Sequence, residues 1–300
     1  MSCKIQLSSI PEVGSSFNGK VICQIPNAIR TREIRCVLKG REKTRFKQGK
    51  NTVTGLHEFL LAKQVLYDKD SIEPGTYEFP FEFYLPPDLP NSVERDSGSI
   101  RYSLTATVDI PFDFDYEEKI RMEFTHPVDL NLQHGVLLGN ITYEWQETIS
   151  CLCFDTGNAT MKVTLEERNA YLPGELLKMF VEVKNFTSYN IERLDVTLTR
   201  VTTFKSDRGS SRRQRVPLSN QTYNGVGSNS ENTYSIDFRI PQAILPSNFF
   251  RCTIIEEVYR LRVCGVYPPL YDDLIVDINL IIGVIPLRSV AVDGATILGN

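Results

Sequence analysis

A four-residue motif near the end of the sequence has the composition of a peptide ligand. Residues 268–271 read Pro-Pro-Leu-Tyr. Consecutive prolines such as Pro268 and Pro269 hold the polyproline II conformation that WW domains bind, and Tyr271 would fill a second groove of such a domain. Because strand-like segments flank the motif, a proline-stiffened hairpin loop with a packed tyrosine is the alternative interpretation.

A second motif is a stripe of basic residues at alternating positions. Glu42 is the one acid within this basic stripe, whose basic members are Lys39, Arg41, Lys43, Arg45 and Lys47. Alternate residues of a strand share one face of the sheet. Because charge-assisted hydrogen bonds are stronger than neutral ones, the stripe predicts a surface for acidic or phosphorylated tails of membrane proteins. A solvated sheet face, protected by its charges against edge pairing, is the alternative.

A further basic cluster surrounds a short glycine-serine segment at 209–211. Its members are Lys205, Arg208, Arg212, Arg213 and Arg215. The cluster predicts a long hairpin loop that could sit on anionic lipid headgroups, where each basic residue contributes about 1 kcal/mol near the surface. A loop that only improves solubility is the alternative. Phosphorylation of Ser206, Ser210 or Ser211 would cancel part of this charge.

The seven cysteines show no spacing that indicates a metal site. Their number is odd, several lie in apolar strand-like runs and the N-terminus carries no secretory signal, so we expect reduced, buried thiols. Cys151 and Cys153 have too few partners to bind zinc. Cys252 would react only as an exposed thiolate with a low pKa, and a buried structural thiol is the alternative.

No catalytic motif is present, and the composition argues against several functional classes. The sequence has no Gly-x-Ser-x-Gly elbow, phosphate-binding loop or His-Glu-x-x-His zinc motif. A net charge of −4 and a pI near 5.6 argue against nucleic-acid binding. No apolar run reaches the roughly 18 residues of a membrane span. We therefore expect a non-enzymatic, cytoplasmic protein without catalytic residues, metal or cofactor.

The elements that would present these motifs are β-strands. Apolar and polar residues alternate in segments rich in Val, Ile, Thr and Phe, such as 104–110, 180–183 and 194–201. Turn-forming pairs such as Pro-Gly and Ser-Gly separate these segments, and no long segment has the apolar spacing of a helix. The pattern predicts an all-β protein.

An internal duplication indicates two domains of one topology. Phe-Glu-Phe-Tyr-Leu-Pro at 81–86 corresponds to Ile-Asp-Phe-Arg-Ile-Pro at 236–241, and other blocks recur in the same order. Three hundred residues are also too many for one ordinary hydrophobic core. The boundaries that we expect are an N-domain at 1–132, a packed linker at 133–147, a C-domain at 148–288 and a short tail at 289–300.

The chain resembles the arrestin domain-containing proteins, or α-arrestins, over nearly its whole length. The resemblance rests on Glu-Pro-Gly-Thr-Tyr-Glu-Phe-Pro-Phe at 73–81, Tyr-Leu-Pro-Gly-Glu at 171–175, Cys-Thr-Ile-Ile at 252–255 and Asp-Leu-Ile-Val-Asp-Ile-Asn-Leu at 273–280. It implies two tandem immunoglobulin-like, arrestin-type β-sandwiches. The polar, proline-broken segment 86–98 stands where visual and β-arrestins have a helix, so the resemblance is to the α-arrestins.

The resemblance also implies a function. Such a protein would be an adaptor that links membrane-protein cargo, such as receptors and transporters, to WW-domain ubiquitin ligases and endocytic sorting. It would reside in the cytoplasm and be recruited to the plasma membrane or endosomes. The basic stripe resembles the phosphate-sensing surface of arrestin N-domains. Family members usually carry Pro-Pro-x-Tyr motifs in a C-terminal tail, which would be absent if the protein ends at Asn300.

Two other functions stay open at this point. A structural subunit of an endosomal sorting coat would resemble the arrestin-like component of retromer. A redox-linked scaffold would bind thioredoxin through Cys252, because the thioredoxin-interacting member of the family also has a cysteine at this position. Relatives without such a role have a small residue or a cysteine in the same strand, which favours a buried structural thiol at Cys252.

Overall fold

The computed structural model describes residues 1–300 apart from 126, 152–153, 245, 247–248, 293–294 and 299–300, and apart from the side chains of 150–156 and 289–300. The described part consists of strands, turns and one short 3-10 helix, Leu130–Leu132. It divides into two compact units. The predicted all-β fold with two sandwich domains is confirmed.

The first unit comprises Met1–His126, Thr203–Arg212 and Ser247–Glu256. Its own strands are β1 (Ser2–Leu7), β2 (Ser16–Ile25), β3 (Ile29–Arg30), β4 (Glu33–Gln48), β5 (Asn51–Tyr67), β6 (Ser71–Ile72), β7 (Gly75–Tyr84), β8 (Val93–Arg95), β9 (Gly98–Asp109) and β10 (Tyr116–Met122). One sheet has the order β1-β2-β7. The other has the order β10-β9-β4-β5, with β8 beside β9.

The core of the first unit lies between these two sheets. Alternate residues of each strand point inward and supply buried side chains such as Phe17, Leu38 and Tyr102. Phe204 and Ile255, which come from the two later segments of this unit, are fully buried in the same core. The unit is therefore completed by residues far along the chain, which a boundary at residue 132 does not include.

The second unit comprises Pro127–Thr202, Arg213–Pro246 and Glu257–Asn300. The remaining strands of the chain are β11 (Ile141–Cys151), β12 (Phe154–Leu165), β13 (Ala170–Tyr171), β14 (Leu176–Thr187), β15 (Ile191–Lys205), β16 (Ser211–Val226), β17 (Ser230–Arg239), β18 (Ile255–Val266), β19 (Leu274–Ile282), β20 (Ser289–Val292) and β21 (Ala295–Leu298). Two sheets have the orders β11-β12-β14-β17 and β13-β19-β18-β15-β16, and β20 pairs with β21. Buried residues such as Val181, Leu198 and Leu261 fill its core.

Strand β11 begins within the segment that the sequence predicted as a linker. Residues 141–147 pair with β12, because their alternation of apolar and polar side chains suits a sheet with one buried face. The residues before them are also held. The Asn169 side chain accepts a hydrogen bond from the Leu137 amide (2.8 Å) and donates one to the Gly135 carbonyl (3.0 Å). The tail predicted at 289–300 contains the β20–β21 hairpin.

The prediction that all cysteines are reduced is wrong for one pair. Cys3 of β1 lies directly opposite Cys23 of β2 in the antiparallel ladder, and the two are joined by a disulfide with their Cα atoms 4.2 Å apart. Both residues are buried. The pairing depends on the register between two strands, which the cysteine count does not contain. Cys36, Cys252 and Cys264 are free thiols.

Candidate functional site

Strand β4 presents two different faces. Its even-numbered residues from 36 to 46 are buried, whereas Lys39, Arg41, Lys43, Arg45 and Lys47 point away from the core. The alternation follows from the geometry of an extended strand, and the basic stripe shares one face as its spacing predicts. We call this surface, together with the outward residues of β9, β10 and β5 beside it, the basic face.

The basic face gathers positive charge from three adjacent strands. Arg41 lies directly opposite Arg101 of β9, and the charge of Arg41, followed by burial and the charges of Arg101 and Lys119, lowers the pKa of Lys43. Such a shift shows that Lys43 experiences the repulsion of its neighbours. An anion bound here would relieve that repulsion.

Acidic residues neutralise only part of the basic face. Glu94 forms a bidentate ion pair with Arg101 (2.6 and 2.8 Å) and a second, short ion pair with Arg121, while Glu58 pairs with Lys39 at 3.0 Å. Five cations of this surface are in no ion pair with the described residues. These cations are Arg41, Lys43, Arg45, Lys47 and Lys119. Their charges are therefore available to a partner.

Glu42 has a structural role that the sequence analysis did not identify. Its side chain is fully buried on the opposite face of β4 from the basic stripe. One carboxylate oxygen accepts hydrogen bonds from the amides of Thr253 (2.6 Å) and Ile254 (3.1 Å), and the other accepts one from the amide of Ile255 (2.9 Å). The Thr253 hydroxyl (3.2 Å) and the His57 Nδ1 atom (2.8 Å) complete this shell.

The Glu42 shell holds a distant segment in the first unit. A buried carboxylate is costly unless hydrogen bonds satisfy its oxygens, and consecutive backbone amides form a concavity that suits an anion. Residues 253–255 supply these amides more than 200 positions along the chain. The sequence did contain a signal for this burial. Glu42 is an even-numbered residue in a strand whose even-numbered residues face the core.

Cys252 lies beside the Glu42 shell. Burial, followed by the negative charge of Glu42 and a hydrogen bond to it, raises the pKa of the Cys252 thiol well above its usual range. A thiolate is the reactive form of cysteine, and all three effects disfavour it. The geometry therefore favours the structural interpretation of Cys252 over a thiol that exchanges with thioredoxin.

Residues 268–271 form a tight turn and not an extended peptide. The Tyr271 amide donates to the Pro268 carbonyl (3.3 Å), and Leu270 adopts a positive φ of 86°. The Tyr271 ring packs against the core of the second unit, with its centroid 4.3 Å from that of Tyr189. A WW domain binds a polyproline II peptide, so this turn would have to open before it could bind.

The further basic cluster surrounds a short turn, and the prediction of a long loop is wrong. The Ser206 amide donates to the Ser210 carbonyl (2.8 Å), and β15 and β16 continue directly on either side. Lys205 pairs with Glu256, and Ser206 is buried. Four exposed arginines remain on the turn and the first part of β16, and these are Arg208, Arg212, Arg213 and Arg215.

The described residues hold neither a metal-like cluster nor a membrane-crossing helix. No group of three or more His, Cys, Asp or Glu side chains in this part of the chain has the arrangement of a metal site. Cys153 and the side chain of Cys151 lie outside the described residues. Within the same part of the chain, no helix has the length and apolar character needed to span a bilayer.

Comparison with known proteins identifies the family. The family model "Arrestin (or S-antigen), N-terminal domain" matches residues 6–131, and the corresponding C-terminal domain model matches residues 155–287. The chain belongs to the arrestin domain-containing proteins, the α-arrestins. Proteins of the arrestin family are non-enzymatic adaptors.

Individual relatives agree with this membership. The chain is 28% identical over 216 residues to arrestin domain-containing protein 4 of Mus musculus and 29% identical over 220 residues to that of Homo sapiens. These matches cover 72% and 73% of this chain, which spans about half the length of the two relatives (50% and 51%). Arrestin domain-containing protein 17 of Caenorhabditis elegans is 23% identical over 297 residues, covering 92% of this chain and 68% of that protein.

The Glu42 shell generates a stability prediction. Replacing Glu42 by Gln keeps its shape but removes the charge and turns an amide group towards backbone N–H donors, so the free energy of unfolding should fall by roughly 2–4 kcal/mol. Urea denaturation measures this loss. Glu58→Gln, at the partly exposed ion pair with Lys39, is the matched control and should change the value by less than about 0.5 kcal/mol. Equal effects of both variants would contradict a special role of Glu42.

Proposed function

We propose that this protein is an arrestin-like adaptor whose basic face binds acidic or phosphorylated segments in the cytosolic tails of membrane proteins. The observation that carries the proposal is the group of like charges on three neighbouring strands, in which Arg41 and Lys43 have no carboxylate partner among the described residues. Guanidinium and ammonium groups bind phosphate through short, charge-assisted hydrogen bonds. A tail with two or more phosphates would complement such a surface.

The sheet supports this binding mode in a second way. Strand β5 is the last strand of its sheet. The Asp207 amide already donates to the Thr54 carbonyl (3.1 Å), and the Asp207 carboxylate accepts from the Leu56 amide (3.1 Å). Residues 58–61, opposite Arg41 and Lys39, have no further strand beside them in the described part of that sheet. An extended tail could add to such an edge through main-chain hydrogen bonds while its phosphates contact the adjacent β4 cations. The adaptor would act in the cytoplasm and reach the plasma membrane or endosomes through the cargo that it binds.

Charge reversal on the basic face tests the proposal. Arg41→Glu combined with Lys43→Glu should weaken binding of a doubly phosphorylated, fluorescently labelled tail peptide by about tenfold or more, because each lost charge-assisted hydrogen bond is worth about 1.5–3 kcal/mol. Fluorescence anisotropy at low and physiological salt measures the dissociation constant, and added salt should weaken binding to the unaltered protein.

Lys178→Glu combined with Lys184→Glu is the control with the same change of net charge. Both lysines are exposed on β14 of the second unit and are not part of the basic face. This control should change the dissociation constant by less than about twofold, because the proposed contact uses only the first unit and salt screens the effect of net charge over long distances. If both double variants weakened binding equally, net charge and not the basic face would be responsible.

A link to ubiquitin ligases is a separate proposal that depends on the 268–271 turn. Because the turn hides Tyr271 against Tyr189, a WW domain would bind only the fraction of molecules in which the turn is open. The apparent affinity is reduced by that fraction. The folded protein would therefore bind WW domains weakly through this motif.

Releasing the tyrosine tests this link. Tyr189→Ala removes the ring that packs on Tyr271 and should strengthen the binding of an isolated WW domain severalfold, whereas Tyr271→Ala should abolish it. Isothermal titration calorimetry measures the affinities, and circular dichroism verifies that each variant is folded. Equal binding by the unaltered protein and Tyr271→Ala would show that this motif is not the ligand.

A further inference from the structure

The loop between β9 and β10 exposes two phenylalanines that the proposed function does not use. The side chain of Phe112 is 100% exposed and that of Phe114 is 92% exposed. Phe112 also adopts a φ of 65°, a conformation that is costly for a bulky residue. Exposed aromatic rings and local backbone strain both cost free energy and gather where a protein binds something.

The loop is held in shape without a partner. The Asp113 amide donates to the Ile110 carbonyl (3.3 Å), and the Asp115 carboxylate accepts from the Ile110 amide (3.2 Å). Asp115 also lies 3.7 Å from the Arg35 guanidinium. Because its backbone is fixed in this way, the loop would lose little conformational entropy when its rings dock.

The charge of the loop restricts what it can dock on. Residues 110–118 contain four acids and no base, and Asp113 separates the two phenylalanines. An anionic lipid surface would repel these acids, and burying both rings in a bilayer would bring Asp113 to the headgroups. The complementary surface is therefore a protein surface that combines cations with exposed apolar side chains.

The basic face has both properties. Leu56 of β5 is 54% exposed and lies directly opposite Lys43, and Leu61 is 61% exposed and lies opposite Lys39. The Arg41 guanidinium adds a group on which an aromatic ring can stack. The face can therefore accept phenylalanine rings and carboxylates at neighbouring positions.

The loop cannot reach Arg41 and Lys43 in the basic face of its own molecule. In the continuous β4–β9 ladder, Asp109 beside the loop pairs with Glu33, whereas Arg101 pairs with Arg41. These two rows are eight residues apart, which is about 27 Å along a strand. The loop ends the β9–β10 ladder of the same sheet, so it is fixed at the far end from Arg41.

We propose that the Phe112–Phe114 loop docks on the basic face of a second copy of this chain. The contact joins two different surfaces, so each molecule offers one loop and one face. Self-association of this kind goes beyond the proposed function and needs no cargo. Self-association would also cover the basic face and so compete with cargo tails. Only this competition rests on the proposed function.

Sedimentation velocity of the full chain over a range of concentrations, at about 50 mM salt where charges are weakly screened, tests the proposal. The unaltered protein should associate reversibly. Phe112→Ala with Phe114→Ala (the loop variant) and Arg41→Glu with Lys43→Glu (the face variant) should each raise the dissociation constant at least tenfold. Phe180→Ala, at an exposed phenylalanine of β14, is the matched control and should associate normally.

Mixing the two variants gives the decisive result. A loop variant still has an intact face, and a face variant still has an intact loop, so the mixture should form dimers and no larger species. A mixture that stays monomeric would overturn the proposal, as would an unaltered protein that is monomeric at every concentration. Binding to phosphatidylcholine vesicles that requires Phe112 and Phe114 would also overturn it, because lipid would then be the partner.

Discussion

The buried carboxylate of Glu42 fixes the register on which the first unit depends. Side chains of β4 alternate strictly, so a slip of one residue would expose Glu42 and turn the cations of the basic stripe into the core. A buried charge is tolerated only when hydrogen bonds satisfy it, and the three amides of residues 253–255 do so together with the Thr253 hydroxyl and His57. The acid inside and the bases outside are thus consequences of one register.

The same register accounts for the chemistry of the outer surface. Cations of adjacent strands are held side by side, as with Arg41 and Arg101, because backbone pairing sets their spacing. The charge of Arg41, followed by burial and the charges of Arg101 and Lys119, lowers the pKa of the neighbouring Lys43. An adaptor acts through shape and charge, and this surface offers both to the flexible anionic segment that we propose it binds. Membership of the arrestin family agrees with such a role.

Much of the fold could be predicted from local pattern alone. Period-two alternation predicted the strands, the duplicated blocks predicted two sandwiches, and the spacing of the basic stripe predicted its shared face. What could not be predicted depends on contacts between distant residues. Glu42 binds amides more than 200 positions away, and the Cys3–Cys23 disulfide requires the β1–β2 register.

The conformation of two short segments could also not be predicted from the sequence. The 268–271 motif contains the residues of a WW ligand, yet Leu270 turns the chain back and Tyr271 packs on Tyr189. Likewise, the sequence of residues 110–118 does not show that both phenylalanines point into solvent. Such features depend on how the flanking strands are oriented in the folded protein. The pattern and composition of a short segment do not specify that orientation.

Methyl NMR of the full chain during titration with a doubly phosphorylated tail peptide tests the central claim most directly. The methyl groups of Leu56 and Leu61 lie opposite Lys43 and Lys39 on the basic face, whereas Leu218 packs in the second unit. The account predicts that the Leu56 and Leu61 signals shift on binding and that the Leu218 signal does not. Unchanged Leu56 and Leu61 signals at saturating peptide would contradict it.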